Sequence, residues 1–308
     1  MQSLVNFSRK LFHLLIHILD PFPADAKKYC LSGGVDRTVR LWNPLRLDSK
    51  SEALSIQVYR DGHIHPVSAI ATHDTVLISA SNKTFVVTDM VTAKTMFRVP
   101  NGHDGRINAV EIKRDALYLT ASYDGTVKLW DARNTSRQSP IQICSEAKDS
   151  VSAVKFDGQH SFYTASIDGQ VRLYDVRKGS ITCSTVGSPI VSMAIAEDCL
   201  VVSCLDGCMR LLDKTLGELL NTYHGAHTTE QYSVGCAITS SCVVTGSERG
   251  PRAVLYDLVT SKVVQTLQHE DSTRSTCSVA AHDSCLVTAT HGEIPLVWTN
   301  DRSLVSRD

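Results

Sequence analysis

Two stretches decide the fold: Tyr118-Leu-Thr-Ala-Ser-Tyr-Asp-Gly-Thr-Val-Lys-Leu-Trp-Asp131 and Phe162-Tyr-Thr-Ala-Ser-Ile-Asp-Gly-Gln-Val-Arg-Leu-Tyr-Asp175. Each contains an apolar segment, an Asp-Gly turn and an alternating segment that ends in an aromatic residue followed by Asp, which is the pattern of a β-hairpin. Gly supplies the positive φ that a tight connection requires. Two blocks this similar indicate an internal repeat.

The aromatic position of this block recurs at a nearly constant interval. Successive positions are 46, 42, 44, 38, 44 and 42 residues apart, at Trp42, Thr88, Trp130, Tyr174, Leu212, Tyr256 and Trp298. A unit of about 40 to 45 residues is the length of a four-stranded propeller blade. In the third unit, four strands are predicted at 107–112, 116–122, 126–131 and 140–144. The sequence therefore predicts an all-β fold, a seven-bladed β-propeller with an incomplete or irregular first blade.

Over about residues 29 to 300 the chain resembles the WD-repeat family. Gly102-His103, Thr120, Asp124 and Trp130 match the hydrogen-bonded tetrad of that family, so the resemblance implies that His103, Thr120, Asp124 and Trp130 form a structural tetrad. An acid stands six residues before the anchor at Asp36, Asp124, Asp168 and Asp206, whereas unit two has Asn82, unit six shifts to Glu248 and unit seven has only Gly292.

The same tetrad combines a hydroxyl, an imidazole and a carboxylate, which are the groups of a hydrolase triad. We favour the structural interpretation, because a Thr nucleophile needs an exposed oxygen beside an oxyanion hole. Phosphate-loop, kinase and metalloprotease motifs are absent from the sequence, and its ten cysteines include no CxxC pair. We therefore expect no enzyme activity, no catalytic residue, no cofactor and no metal site.

Composition excludes further classes of protein. The chain is 43% hydrophobic and 20% charged, with 31 Lys+Arg against 32 Asp+Glu, which argues against a disordered chain and a strongly basic nucleic-acid binder. Aromatic residues make up only 6%, so we expect no direct sequence-specific nucleic-acid binding. The longest uncharged apolar run, 11–19, is short of the roughly 20 residues that span a bilayer. We expect no membrane segment.

Two sets of residues are candidates for partner binding. Tyr123, Ile167 and Leu205 precede the turn acids of three successive blades, where they either pack against the neighbouring blade or form a shared apolar patch for a protein partner. Trp130-Asp-Ala-Arg133 and Tyr174-Asp-Val-Arg177 resemble the WDxR box of cullin-4 ubiquitin-ligase substrate receptors. The alternative for Arg133 and Arg177 is a solvated pair with a strand-end carboxylate.

Further stretches resemble the single-propeller scaffolds that organise mitogen-activated protein kinase cascades. They are Gly187-Ser-Pro-Ile190, Leu205 to Leu220, Gln231-Tyr232 and Trp42-Asn-Pro-Leu-Arg46. This resemblance implies a non-enzymatic protein-interaction scaffold. Its implied partners are kinase-cascade components and spliceosomal proteins, with a ubiquitin-ligase adaptor as the alternative. It also implies a monomeric propeller within complexes, located in cytoplasm and nucleus.

The N-terminus departs from the repeat. We divide the chain into an irregular segment, 1–28, and a WD-repeat propeller, 29–308. Two strands are expected ahead of Tyr29, so residues 1–28 either replace strands of blade 1 or close blade 7. The alternative is a functional product that starts differently and has an incomplete first blade. An open ring would expose an unpaired strand edge.

Overall fold

The computed structural model describes residues 2–7, 13–18, 29–47, 52–60, 62–113, 116–134, 139–231, 233–269, 275–282, 285–290 and 295–299. The strands are β1 (Gln2–Phe7), β2 (His13–Ile18), β3 (Cys30–Gly34), β4 (Val39–Leu47), β5 (Glu52–Tyr59), β6 (Ala69–His73), β7 (Val76–Ser81), β8 (Thr84–Asp89), β9 (Lys94–Val99), β10 (Ile107–Lys113), β11 (Leu117–Ser122), β12 (Val127–Asp131), β13 (Gln142–Cys144), β14 (Val151–Asp157), β15 (Ser161–Ser166), β16 (Gln170–Asp175), β17 (Ser180–Thr185), β18 (Ile190–Ile195), β19 (Cys199–Cys204), β20 (Met209–Asp213), β21 (Leu219–Tyr223), β22 (Cys236–Ile238), β23 (Cys242–Thr245), β24 (Arg252–Asp257), β25 (Val263–Gln268), β26 (Thr276–His282), β27 (Cys285–Thr290) and β28 (Leu296–Thr299).

The predicted seven-bladed β-propeller is confirmed. Blades 2 to 6 each contain four consecutive strands paired in order, β6–β9, β10–β13, β14–β17, β18–β21 and β22–β25. Inner and middle strands are covered on both sides and therefore read as nearly continuous apolar runs, as in β19, whereas the outermost strand β17 is largely exposed. The four predicted strands of blade 3 correspond to β10–β13, with ends that differ by one or two residues.

Blades 1 and 7 share one eight-stranded sheet, in the order β2-β3-β4-β5-β1-β28-β27-β26. Strand β1 pairs antiparallel with β28, so residues 2–7 form the outer strand of blade 7. Strand β2 pairs with β3 and is the inner strand of blade 1. Blade 1 thus has four strands, and its irregularity lies in the register shifts between β4 and β5. Pairing with the first strand of the chain covers the edge of β28 that an open ring would expose.

The hydrophobic core lies between successive blades. Phe85 of blade 2 packs edge-on against Trp130 of blade 3, with ring centroids 5.0 Å apart. Phe162 stacks on Tyr174 within blade 4 at 4.9 Å, and both belong to the cluster between blades 3 and 4. Burying a large apolar side chain contributes about 1.5–3 kcal/mol, so these inter-blade contacts stabilise the ring.

The strand order defines two faces of the ring. Turns between the second and third strands of a blade lie on the same face as the loops that connect blades, and we call this the upper face. Turns between the third and fourth strands lie on the lower face. The described residues include no helix with the length and apolar character that crossing a bilayer requires.

Candidate functional site

The structure brings the tetrad residues of blade 3 together. His103 lies in the loop before β10, with its Nε2 2.7 Å from Thr120 Oγ1 and its Nδ1 3.0 Å from Asp124 Oδ2. Trp130 Nε1 donates a hydrogen bond to the same Thr120 oxygen at 2.9 Å. These contacts tie the connecting loop and the hairpin turn to strands β11 and β12.

Asp124 is hydrogen-bonded to the backbone of its own turn and of the preceding loop. Its carboxylate accepts hydrogen bonds from Thr126 N at 2.9 Å, Thr126 Oγ1 at 2.6 Å and Asp104 N at 2.9 Å. Burial raises the pKa of Asp124, but these hydrogen bonds and the neighbouring His103 outweigh it, and the net pKa lies well below its ordinary value. Gly105 permits this approach, because a Cβ there would lie 2.7 Å from Asp124 N.

The hydroxyl and the imidazole of the tetrad are enclosed within the blade. The Thr120 side chain is 0% exposed and His103 is buried beside it, so neither group faces a surface that a substrate could reach. Burial also lowers the pKa of His103, an effect that the nearby Asp124 opposes. Within the described ranges, no group of three His, Cys, Asp or Glu side chains is arranged to hold a metal ion.

Three further histidines occupy equivalent loops and were not among the residues predicted from the sequence. His63 Nε2 lies 2.7 Å from Ser79 Oγ, His227 Nδ1 lies 2.7 Å from Tyr256 OH, and His269 Nε2 lies 2.8 Å from Thr288 Oγ1. The signal was present, because His63, His103, His227 and His269 stand 25, 27, 29 and 29 residues before their anchors. A search for the imidazole at this spacing would have found all four.

In blade 6, Glu248 takes the place of the turn acid. Its carboxylate accepts hydrogen bonds from the backbone of Glu230 at 2.5 Å and of Gln231 at 3.0 Å. Asp124 makes the same kind of bond to Asp104 N in blade 3. The offset acid therefore still fastens the connecting loop to the turn.

The three turn-tip candidates lie at equivalent places on the upper face. The backbone N–H groups of Tyr123, Ile167 and Leu205 donate to carbonyls of the preceding loops at 2.8, 2.9 and 3.0 Å. The Tyr123 side chain is 70% exposed, whereas Ile167 and Leu205 are half-buried. Val35 occupies the same position in blade 1 and is exposed, although it was not among the predicted candidates.

Arg133 and Arg177 lie at equivalent places on the lower face of adjacent blades. The Arg133 side chain is 65% exposed, and its Nη2 lies 2.9 Å from Asp131 Oδ2. Arg177 is also exposed, and its backbone N–H donates to Asp175 Oδ1 at 3.0 Å. Arg133 thus forms the solvated pair with a strand-end carboxylate, and most of its side chain is exposed.

Comparison with known proteins places this geometry in a family. The "WD domain, G-beta repeat" family model matches residues 22–43, 94–131 and 138–175. Human WD repeat domain-containing protein 83 is 34% identical over 272 residues, which cover 86% of this chain and 83% of the human protein. The chain belongs to the WD-repeat family. That prediction is confirmed.

Other WD-repeat proteins give consistent matches. The WD repeat domain-containing protein 83 homolog of Dictyostelium discoideum is 32% identical over 272 residues, covering 78% of this chain and 81% of that protein. The rat protein is 34% identical over 159 residues, half of each chain. Among solved structures, the WD40 β-propeller domain of Doa1 superposes with a TM-score of 0.78 over 99% of both chains at 16% identity, which establishes the shared fold.

Proposed function

We propose that this WD-repeat protein is a non-enzymatic scaffold that assembles components of a mitogen-activated protein kinase cascade and takes part in pre-mRNA splicing complexes. The observation that carries the proposal is the distribution of side chains: the hydroxyl and imidazole of the tetrad are buried, while apolar and basic side chains are exposed on the faces of the ring. Resemblance to the mitogen-activated protein kinase organiser supplies the partners and the location in cytoplasm and nucleus.

A rigid ring suits this role. Partners bound at different places on one propeller raise one another's effective concentration without any turnover by the scaffold itself. The upper face offers Tyr123, followed around the ring by the half-buried Ile167 and Leu205 of the next two blades. A few apolar anchors of this kind carry most of the binding energy in many protein interfaces.

The test is purification of the full chain from its own cells, with nuclear and cytoplasmic fractions analysed separately by mass spectrometry. We expect cascade kinases or splicing proteins with the wild-type chain. We expect their loss with the triple variant Tyr123→Ser, Ile167→Ser and Leu205→Ser. A matched control replaces three exposed apolar residues of the lower face, Val91, Leu216 and Val259, by Ser. Recovery of neither class by the wild type would overturn the proposal.

A second function is favoured by the exposed arginines at equivalent positions of blades 3 and 4. In this proposal the chain is the substrate receptor of a cullin-4 ubiquitin ligase, and Arg133 and Arg177 bind the adaptor. The double variant Arg133→Ala with Arg177→Ala then loses the adaptor, while the control Lys178→Ala with Lys262→Ala retains it. Equal adaptor binding by both double variants would exclude this role for the arginines.

A further inference from the structure

We propose that the upper face of blades 1 to 3 binds an acidic protein segment that carries apolar side chains. This inference rests on the proposed scaffold function and names the chemistry of one partner. The surface, which we call the basic rim, has three apolar members, Val35, Ile64 and Tyr123, all exposed. Its basic members are Arg37, Arg60, Lys83, Arg98 and Arg106, which are also exposed.

Hydrogen bonds make blades 1 and 2 continuous along this rim. The carbonyl of Gly34, the residue before Val35, accepts a hydrogen bond from Val67 N in the loop that leads into blade 2 at 3.1 Å. In that loop, the carbonyl of His65, the residue after the exposed isoleucine, accepts a hydrogen bond from Ser81 Oγ at 2.7 Å. The exposed apolar side chains of the two blades are therefore carried by segments that are fastened together.

The same connection continues into blade 3. Lys83 lies in the turn of blade 2, and the carbonyl of its neighbour Asn82 accepts a hydrogen bond from Ile107 N at 2.7 Å. Arg106 precedes Ile107, and its own carbonyl accepts a hydrogen bond from Tyr123 N at 2.8 Å. One run of bonded turns and loops thus carries the apolar and basic side chains across three blades, so a single extended ligand can contact both kinds.

The basic side chains of the rim have no acidic partner in the part of the chain that the structure describes. Among the described residues, none of the five has an acidic side chain within salt-bridge distance. In the described turns and loops that carry the rim, Asp104 is the acidic residue that is exposed. Arg98 lies close enough to His63 for its charge to add to burial in lowering the pKa of that imidazole to about 4. The described part of the rim therefore carries a local excess of positive charge, although the whole chain has a net charge of -1.

Elsewhere on the described part of the upper face, basic side chains have acidic neighbours. Arg249 of blade 6 forms an ion pair with Glu230 at 2.8 Å. Lys148, in the loop before blade 4, is followed by the exposed Asp149. Among the described residues, the basic side chains of this face that lack an acidic partner are thus concentrated in the arc that also holds its most exposed apolar side chains. Because attraction between complementary charges fixes orientation and partner choice, this arc selects an acidic ligand.

The apolar members favour a protein over a nucleic acid. Val35 and Ile64, 40% and 65% exposed, are branched aliphatic side chains that bury other apolar side chains but give no platform for a base. Tyr123 is the one aromatic residue among the three. Non-specific single-strand binders instead combine a basic groove with several stacking aromatics. An acidic segment with interspersed Phe or Leu satisfies both kinds of side chain present here.

The test uses the purified full chain and a fluorescently labelled synthetic peptide in which Glu alternates with Phe and Leu. We expect binding that weakens as salt is added, because exposed charges are screened. The double variant Lys83→Glu with Arg106→Glu should weaken binding about tenfold or more. Tyr123→Ser should weaken it without changing the dependence on salt. The matched control, Lys178→Glu with Lys262→Glu, makes the same charge change on the lower face and should bind like the wild type.

Three results would overturn the proposal: wild-type binding by the rim variant, equal loss with the lower-face control, or displacement of the peptide by a mixed-sequence single-stranded oligonucleotide that binds more tightly. Melting curves show whether each variant is folded, and Arg60→Glu with Arg98→Glu tests the rim again at other positions.

The peptide-binding measurement is independent of partner recovery from cells. Peptide binding without recovered kinases or splicing proteins overturns only the proposed function, and the reverse outcome overturns only the basic rim.

Discussion

Trp298 Nε1 donates a hydrogen bond to Thr288 Oγ1 at 2.8 Å, and His269 Nε2 lies 2.8 Å from the same oxygen. All three side chains are buried. Blade 7 thereby repeats the hydroxyl-centred arrangement of Thr120 in blade 3, although the sequence offers only Gly292 at its turn-acid position. The buried hydroxyl fixes the orientation of the indole, which packs in the cluster between blades 6 and 7.

Thr288→Val should destabilise the protein. Valine has nearly the same shape, but it removes the buried hydroxyl that bonds to both Trp298 Nε1 and His269 Nε2. Loss of such a partner costs about 1–3 kcal/mol of the free energy of unfolding, measured by chemical denaturation. Thr182→Val, on the exposed outer strand β17, is the control and should change stability by less than about 0.5 kcal/mol. Equal effects of the two substitutions would contradict the role assigned to the Thr288 hydroxyl.

Asp124→Ala should lower the melting temperature. The carboxylate accepts hydrogen bonds from the Thr126 and Asp104 backbones and contacts His103, so its removal leaves several donors without an acceptor. We expect a loss of about 1–3 kcal/mol. Asp104→Ala removes an exposed acid from the same loop and serves as the control. An unchanged melting curve for Asp124→Ala would remove this residue from the structural tetrad.

Stability should fall as the pH is lowered from about 6.5 to about 4. Burial lowers the pKa of His63 and of His227 from 6.5 to about 4, so in this window the unfolded chain binds protons that the folded chain does not. Each such proton contributes a slope of up to about 1.4 kcal/mol per pH unit. Both imidazoles therefore stabilise the ring at neutral pH, and this contribution is lost in acid.

The variant His227→Phe tests this pH dependence. Phenylalanine keeps a ring against Tyr256 but cannot titrate, so the slope of unfolding free energy against pH between 4 and 6.5 should become shallower by about one proton. Any lost hydrogen bond shifts the curve without changing its slope. His160→Asn, an exposed position, should leave the slope as it is. A slope unaltered in His227→Phe would show that His227 titrates alike in both states.

The order and spacing of strands within a blade were predictable from the sequence, because the signals for them are local. A turn with Asp and Gly between two apolar strands recurs within fourteen residues, and the pattern fixes strand type and spacing together. The function of Glu248 was not predictable in this way, because its bonds to Gln231 depend on the conformation of a loop 17 residues away. Pairing of β1 with β28 joins opposite ends of the chain, which no local pattern encodes.

The candidate site also has features that the sequence predicts and features that it does not. Tyr123, Ile167 and Leu205 occupy equivalent turn positions, as the repeat predicted, but their different exposures depend on how each neighbouring loop packs. Val35 carries the same sequence signal as Tyr123, since it directly precedes the turn acid Asp36, and it could have been predicted. Ile64 could not, because a lone aliphatic residue in a connecting loop carries no sequence signal of exposure. The basic rim follows only from contacts between blades, such as the bond from Val67 N to the Gly34 carbonyl.

Three Asp–Arg pairs at the same position of different blades differ in how far they are buried. Their N–O distances are 3.1, 2.6 and 2.5 Å in Asp36–Arg40, Asp168–Arg172 and Asp206–Arg210. The Arg172 side chain is only 2% exposed and that of Asp168 is buried with it, whereas both members of the other two pairs reach solvent. Burial raises the pKa of Asp168, but hydrogen bonds from Arg172 and Ser166 outweigh this effect and lower the pKa to about 2.

Arg172→Met should therefore be the most destabilising of the three Arg→Met variants. It leaves a buried carboxylate without its counter-ion, which costs about 3–5 kcal/mol. The other two pairs are only partly buried, so loss of either should cost less, closer to the roughly 1 kcal/mol of a pair in solvent. The double variant Asp168→Leu with Arg172→Met removes the uncompensated charge and should recover much of that loss. Chemical denaturation of the three single variants and the double variant measures this order. If Arg40→Met or Arg210→Met proved as harmful as Arg172→Met, burial would not be what determines the strength of these pairs.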